Sequence, residues 1–192
     1  MMLARCVIVA VLSLVCCAAV GVAAGAAEAR RHGLTIELGV GAGSIQVANL
    51  LRDSGSTVDI GFEPHAIGIG GFITDRVALL YRWSSTYYFA TNAQGETAQG
   101  VLGTHAPHVQ VWLGERWMVG GGVGAAFFGN VLGRDDADPD IAVGLALAGR
   151  VGYAFALLGP DGALKVTLKV LAGLFADGAA VGQTLNLNYQ WY

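Results

Sequence analysis

Apolar residues recur at every second position along most of this chain, and almost never at helical spacing. Residues 183–191 show it most cleanly: Leu185, Leu187, Tyr189 and Trp191 share one phase, and Thr184, Asn186, Asn188 and Gln190 share the other. Successive side chains of a β-strand project to opposite faces, so a period of two predicts strands. Cutting the chain at its turn residues gives about eight such segments.

The first, 34–47, sets Leu34, Ile36, Leu38, Val40 and Ala42 against Thr35, Glu37, Gly39, Gly41 and Gly43. The second, 62–73, sets Ile67, Ile69 and Ile73 against Ala66, Gly68 and Gly70. In the third, Val77, Leu79, Tyr81, Trp83, Tyr87 and Phe89 oppose Ala78, Leu80, Arg82, Ser84, Thr86 and Tyr88. The fourth, 102–113, places Val109, Val111 and Leu113 opposite His108, Gln110 and Trp112. Trp117, Val119, Val123, Ala125 and Phe127 share a face of the fifth. The sixth opposes Val143, Leu145, Leu147, Val151, Tyr153 and Phe155 to Gly144, Ala146, Ala148, Arg150 and Gly152. The seventh sets Leu164, Val166, Leu168 and Val170 against Lys165, Thr167 and Lys169. Each has about the 9–11 residues a tilted strand needs to cross a bilayer.

The connections alternate in length. Those at 74–76, 114–116 and 158–162 are short, those at 48–57, 90–101 and 129–140 are longer and polar, and the last, near Asp177, is brief. Short turns at one end and long loops at the other match the periplasmic and extracellular ends of a membrane barrel. The outward aromatics agree. Trp117, Tyr153, Phe155, Tyr189 and Trp191 fall at the short-turn end, and Tyr87, Phe89 and Phe127 near the long-loop end, as two interfacial girdles would require. The predicted fold class is therefore all-β: an antiparallel, eight-stranded, up-and-down transmembrane β-barrel. A helical bundle fits poorly, because Arg82, Arg150, Lys165 and Lys169 would lie in or beside its spans.

Composition supports burial of an apolar surface in lipid. Of 192 residues 54% are hydrophobic and only 13% charged, against about 25% charged in typical soluble domains. The net charge of -3 and the lack of a basic stripe argue against nucleic acid as a partner. Residues 1–29 read as a secretory signal peptide, with Arg5 in the n-region, an apolar stretch at 6–22 and a small-x-small cleavage pattern at Ala27, Glu28 and Ala29. An uncleaved anchor is the competing reading. Cys6, Cys16 and Cys17 all fall in this segment, so the mature domain, 30–192, carries no thiol chemistry. Val15 before Cys16 does not fit a lipoprotein signal.

With these features in place, residues 34–192 resemble the small eight-stranded outer-membrane proteins of Gram-negative bacteria, of the OmpA transmembrane domain, OmpX and OmpW type. The resemblance rests on four hairpins, alternating loop lengths, two aromatic bands and an amphipathic last strand. It implies a monomer in the outer membrane, in contact with lipid and lipopolysaccharide and delivered by the barrel-insertion machinery. It also implies that Leu185, Leu187, Tyr189 and Trp191 carry the signal that machinery reads. The apolar face ends at Trp191 rather than at Tyr192, a departure from the family's usual phase. No appended peptidoglycan-binding domain is expected.

Eight strands enclose a lumen just wide enough for side chains to fill. Phase turns Glu37, Arg82, His108, Gln110, Arg150, Lys165, Lys169, Asn186 and Asn188 inward. Such groups commonly close a small barrel. Four inward cations against one inward carboxylate, Glu37, nevertheless predict a partly hydrated lumen that favours anions.

Catalysis is not expected, nor is a cofactor. Among the four histidines, His105 and His108 have odd spacing, which puts His105 near the outer rim and His108 inside. Ser84 and Ser85 have no spacing that selects a partner for either. Asp136, Asp138 and Asp140 begin like a calcium loop but lack its central Gly and its later Glu, so a solvated acidic loop is the simpler reading and weak divalent binding the alternative. The glycine runs at 39–43 and 120–124 do not complete a phosphate-binding pattern and read as wall glycines. Two other function classes remain open: a soluble barrel with a hydrophobic ligand inside, and a small lipid-modifying enzyme.

Overall fold

The computed structural model describes residues 31–48, 57–91, 97–130, 141–158 and 162–192. Residues 1–30, with the expected signal segment, most of the three long connections and the acidic run 135–140 lie outside the described residues. Eight strands follow one another: β1 (Gly33–Ala48), β2 (Thr57–Phe72), β3 (Val77–Thr91), β4 (Thr97–Leu113), β5 (Trp117–Asn130), β6 (Ile141–Leu157), β7 (Gly162–Phe175) and β8 (Gly178–Trp191). Each pairs antiparallel with its neighbours in sequence, and β1 pairs with β8, closing the barrel. Ile36 lies opposite Trp191 and Ala48 opposite Ala179, so the closing seam runs almost the full length of both strands.

The strands are longer than the alternation alone predicts. β2 begins at Thr57 rather than at 62, and β4 at Thr97 rather than at 102. All but Val101 of the extra residues of β4 are polar or small, yet they pair in register, Gly100 with Tyr88 and Gln99 with Phe89. Backbone hydrogen bonding continues past the point where in-out contrast ends, so the long connection at 90–101 shrinks to 92–96.

In-out contrast is inverted relative to a soluble barrel. Leu38, Ile69, Val123, Val143, Leu185 and Leu187 are each about half exposed or more on the exterior, whereas Glu37, Glu63, Gln110, Lys165 and Gln190 are fully buried inside. A hydrophobic ligand would find no apolar chamber at that level. Exterior aromatics form a band at each end: Trp117 and Tyr153 lie 4.9 Å apart at the short-turn end. Phe62 joins Tyr87 and Phe89 at the other, at 5.6 and 6.3 Å.

Two β-bulges adjust the wall. In β2 one extra residue falls between Glu63 and Ala66, which shifts the register against both β1 and β3. Pro64 has no N–H to donate, and a bulge is one of the few places a sheet accepts it. A second shift, between Ala154 and Ala156, lies at Phe155 of β6.

Glycines on β1 make room for side chains of β8. A Cβ on Gly41 would overlap Asn186 Oδ1 and stand 2.7 Å from the Leu185 carbonyl oxygen. The same holds for Gly39 beneath Asn188. Gly41→Ala is therefore expected to cost about 1–3 kcal/mol through overpacking, read as a lower urea midpoint of the folded barrel.

Candidate functional site

The barrel interior has three levels. At the long-loop end Ile45, Val47, Tyr88, Leu102, Phe128 and Leu171 form an apolar plug. At the short-turn end Trp112, Met118, Ala154, Ala163 and Tyr192 form a second, with Phe72 and Leu157 against it. Between them lies a polar belt, and the sequence-predicted lumen residues all sit there, buried.

Strand phase sets the belt: residues two apart along a strand face inward together, so Arg82 and Ser84, or Lys165, Thr167 and Lys169, stack into successive tiers. In the lower tier three cations surround Glu37, and two of them, Arg150 and Lys165, donate hydrogen bonds to it. Arg150 Nη1 donates to both its oxygens at 2.8 and 3.0 Å, Lys165 Nζ reaches Oε2 at 2.7 Å and Arg82 Nη1 stands 2.7 Å from Oε1. Arg150 Nη2 also donates to Gln110 Oε1, and Lys165 Nζ to Gln190 Oε1. Gln110 Nε2 donates to Gln190 at 3.0 Å, Gln190 Nε2 to Thr35 Oγ1 at 2.9 Å, and that hydroxyl to the Trp191 carbonyl at 2.6 Å.

The upper tier centres on Glu63, a carboxylate that alternation does not place inside. Lys169 Nζ donates to Glu63 Oε1 at 2.6 Å and to Ser84 Oγ at 3.0 Å. Thr184 Oγ1 and Asn186 Nδ2 each donate to Glu63 Oε2 at 3.0 Å. The expectation of a single inward carboxylate is thus corrected: the belt holds two, and Asp59, opposite the buried Ile45, shares the inward phase nearer the long-loop end. The β2 bulge is the reason: Ala66 and Gly68 are inward at even positions, and one inserted residue makes Glu63 inward at an odd one. Pro64, inside a run that otherwise reads as strand, is the sequence signal that marks the break.

The histidines divide differently from expectation too. His108 is inside and buried. His105 is on the exterior, but near the middle of β4 rather than at its rim, stacked on Trp83 at 5.4 Å and 3.3 Å from the Tyr81 hydroxyl. The two are on opposite faces, so they share no site. Ser84 accepts a hydrogen bond from Lys169, a cation already committed to Glu63, and shares another with the Thr104 hydroxyl at 3.1 Å. Among the described residues no group of three His, Cys, Asp or Glu side chains comes together to hold a metal ion.

Beneath the lower plug, Arg31 crosses the barrel mouth. Its guanidinium carbon sits 3.9 Å from the Trp112 ring centre and 5.3 Å from that of Tyr192, and Nη2 donates to the Glu115 carbonyl at 2.6 Å. Tyr192 turns inward, edge-on to Phe72 at 5.8 Å and Trp112 at 6.2 Å. The out-of-phase Tyr192 thus belongs to the plug, while Leu185, Leu187, Tyr189 and Trp191 line the exterior.

An eight-stranded, closed, up-and-down barrel with an apolar wall and a polar belt inside is the architecture of the small outer-membrane barrels. Solved structures of that kind are its structural neighbours. One is Ail, the attachment invasion locus protein of Yersinia pestis, solved with the heparin analogue sucrose octasulfate: TM-score 0.55 and 12% identity over 82% of this chain and 98% of that one. Another is Neisserial surface protein A, with a TM-score of 0.53, 12% identity and coverage of 82% and 96%. The outer membrane protein OprG of Pseudomonas aeruginosa gives 0.50, 11%, and 84% and 96%. No family model and no curated protein sequence matches. At these identities the likeness is one of fold.

Proposed function

We propose that this chain is a monomeric, non-enzymatic barrel of a bacterial outer membrane, exported by residues 1–29, with a closed lumen and a surface role carried by its long connections. The observation that carries this reading is the inverted contrast: apolar residues such as Leu38, Val123 and Leu185 outside, and a tier of charge around the fully buried Glu37 inside. Lipid is the solvent that such an exterior matches. The fold it shares with Ail, Neisserial surface protein A and OprG supports the same location.

A conducting role fits less well. The second carboxylate lowers the belt's charge excess from the three expected from sequence to two, and plugs of apolar side chains stand above and below the belt. Binding then falls to the loops, the usual carriers of specificity on a rigid scaffold. Their chemistry is acidic: 49–56, 92–96 and 131–140 hold Arg52 and Arg134 against Asp53, Glu96, Asp135, Asp136, Asp138 and Asp140. Such loops repel a sulfated polyanion of the kind seen on Ail and suit a cationic partner, or lipopolysaccharide phosphates bridged by divalent cations.

Fractionation tests the reading. The mature chain should remain in outer-membrane fractions after an alkaline wash, and the purified barrel should give no discrete conductance steps in planar bilayers. Release by the wash refutes the membrane assignment; steady anion-selective steps refute the closed lumen.

A further inference from the structure

Charge is unevenly shared between the two tiers of the belt. Lys169 and Glu63 balance one to one, whereas Arg82, Arg150 and Lys165 converge on Glu37 alone. Within the belt four cations face two carboxylates, so two buried positive charges are left over there, at a depth where an uncompensated charge is strongly disfavoured.

The excess lies beside a strip of wall that carries no inward side chains of its own. β5 turns Gly120, Gly122 and Gly124 inward, and long side chains from its neighbours lie over them. A Cβ on Gly122 would meet His108 Cδ2 at 2.5 Å, and one on Gly120 would stand 3.2 Å from Arg150 Nε. Register explains the meeting: His108 of β4 lies opposite Gly122, and Arg150 of β6 opposite Gly120, so both reach over one strand from its two sides. Each is 6% exposed. His108 Nδ1 and Arg150 Nε have no hydrogen-bond partner among the described residues. Arg82 Nη1 is close to Glu37 but not aligned for a hydrogen bond with it.

We propose that this glycine-floored section of the lumen binds one small monovalent anion, of chloride or bromide size, between His108 and Arg150. Arg150 Nε–H and a His108 tautomer protonated at Nδ1 are the donors, and the excess charge of the lower tier supplies the attraction. A neutral water would satisfy the donors but not the charge. The plugs at either end make it a structural ion captured as the barrel closes, not one in transit. The site does not depend on what the loops bind.

The test is refolding of the full mature chain into detergent in graded chloride, with gluconate holding ionic strength constant. The unfolding midpoint should rise with chloride and saturate, bromide should replace chloride, and His108→Phe should abolish the rise. Crystals grown in bromide should show one anomalous peak between His108 and Arg150. A midpoint indifferent to chloride, a rise that His108→Phe leaves intact, or crystals without a lumen peak would each overturn the proposal. Should His108→Phe fail to fold, the bromide peak in the unaltered protein decides.

Discussion

Glu37→Gln should be among the most destabilising single substitutions in this barrel. It keeps the side chain's size and removes the one counter-ion shared by Arg82, Arg150 and Lys165, all within 2.8 Å of its oxygens. Breaking one buried pair costs about 3–5 kcal/mol, and here three cations lose their partner together, so the upper end of that range is expected. Glu63→Gln strands only Lys169, which keeps its bond to Ser84, and should cost clearly less. Urea titration of both variants refolded in lipid vesicles gives the comparison. Equal losses would mean that the three-cation tier is no more tightly coupled than the single pair.

Val123→Arg is the second large effect, and its size depends on the solvent around the barrel. Val123 lies mid-strand on β5, 53% exposed on the outer wall. In a bilayer a cation at the midplane of such a wall costs about 2–4 kcal/mol. In water an exposed Arg at the same place would be close to neutral. The same urea titration in vesicles, set against a variant such as Ile73→Arg just past the end of β2, separates midplane from interface: the first should be costly and the second mild. Equal, small effects would take the wall out of lipid.

Much of this architecture is legible in the sequence because one rule, alternation, holds for most of the wall. Phase alone turns Arg82, Arg150, Lys165 and Lys169 inward, and the structure buries all four. Two kinds of feature escape the rule. A bulge changes phase by a single residue, and a phase read from Ala66 and Gly68 puts Glu63 on the wrong wall; only Pro64 hints at the break. The end plugs escape for a different reason. Trp112 and Tyr88 already fall in the inward phase, but Ile45, Leu102 and Leu171 are apolar and inward as well, and a reading in which apolar means outward does not show that they meet as plugs. The meeting of His108 and Arg150 over Gly120 and Gly122 is a third case, since it depends on cross-strand register, which no single segment encodes.

The closing seam between β1 and β8 has a bearing on how the barrel is made. Glu37 stands on β1, and its cations come from β3, β6 and β7, with Gln190 of β8 holding Lys165 in place. A sheet of the first five strands would present Glu37 and Arg82 without Arg150 or Lys165, and would leave the edge of β1 with no neighbour on one side. The polar tiers therefore assemble only when distant parts of the chain meet. Contacts of such long sequence separation make folding slow, and they also make it cooperative: a half-built wall gains little of the energy of the whole, so assembly intermediates should be sparse and closure the step that commits the chain.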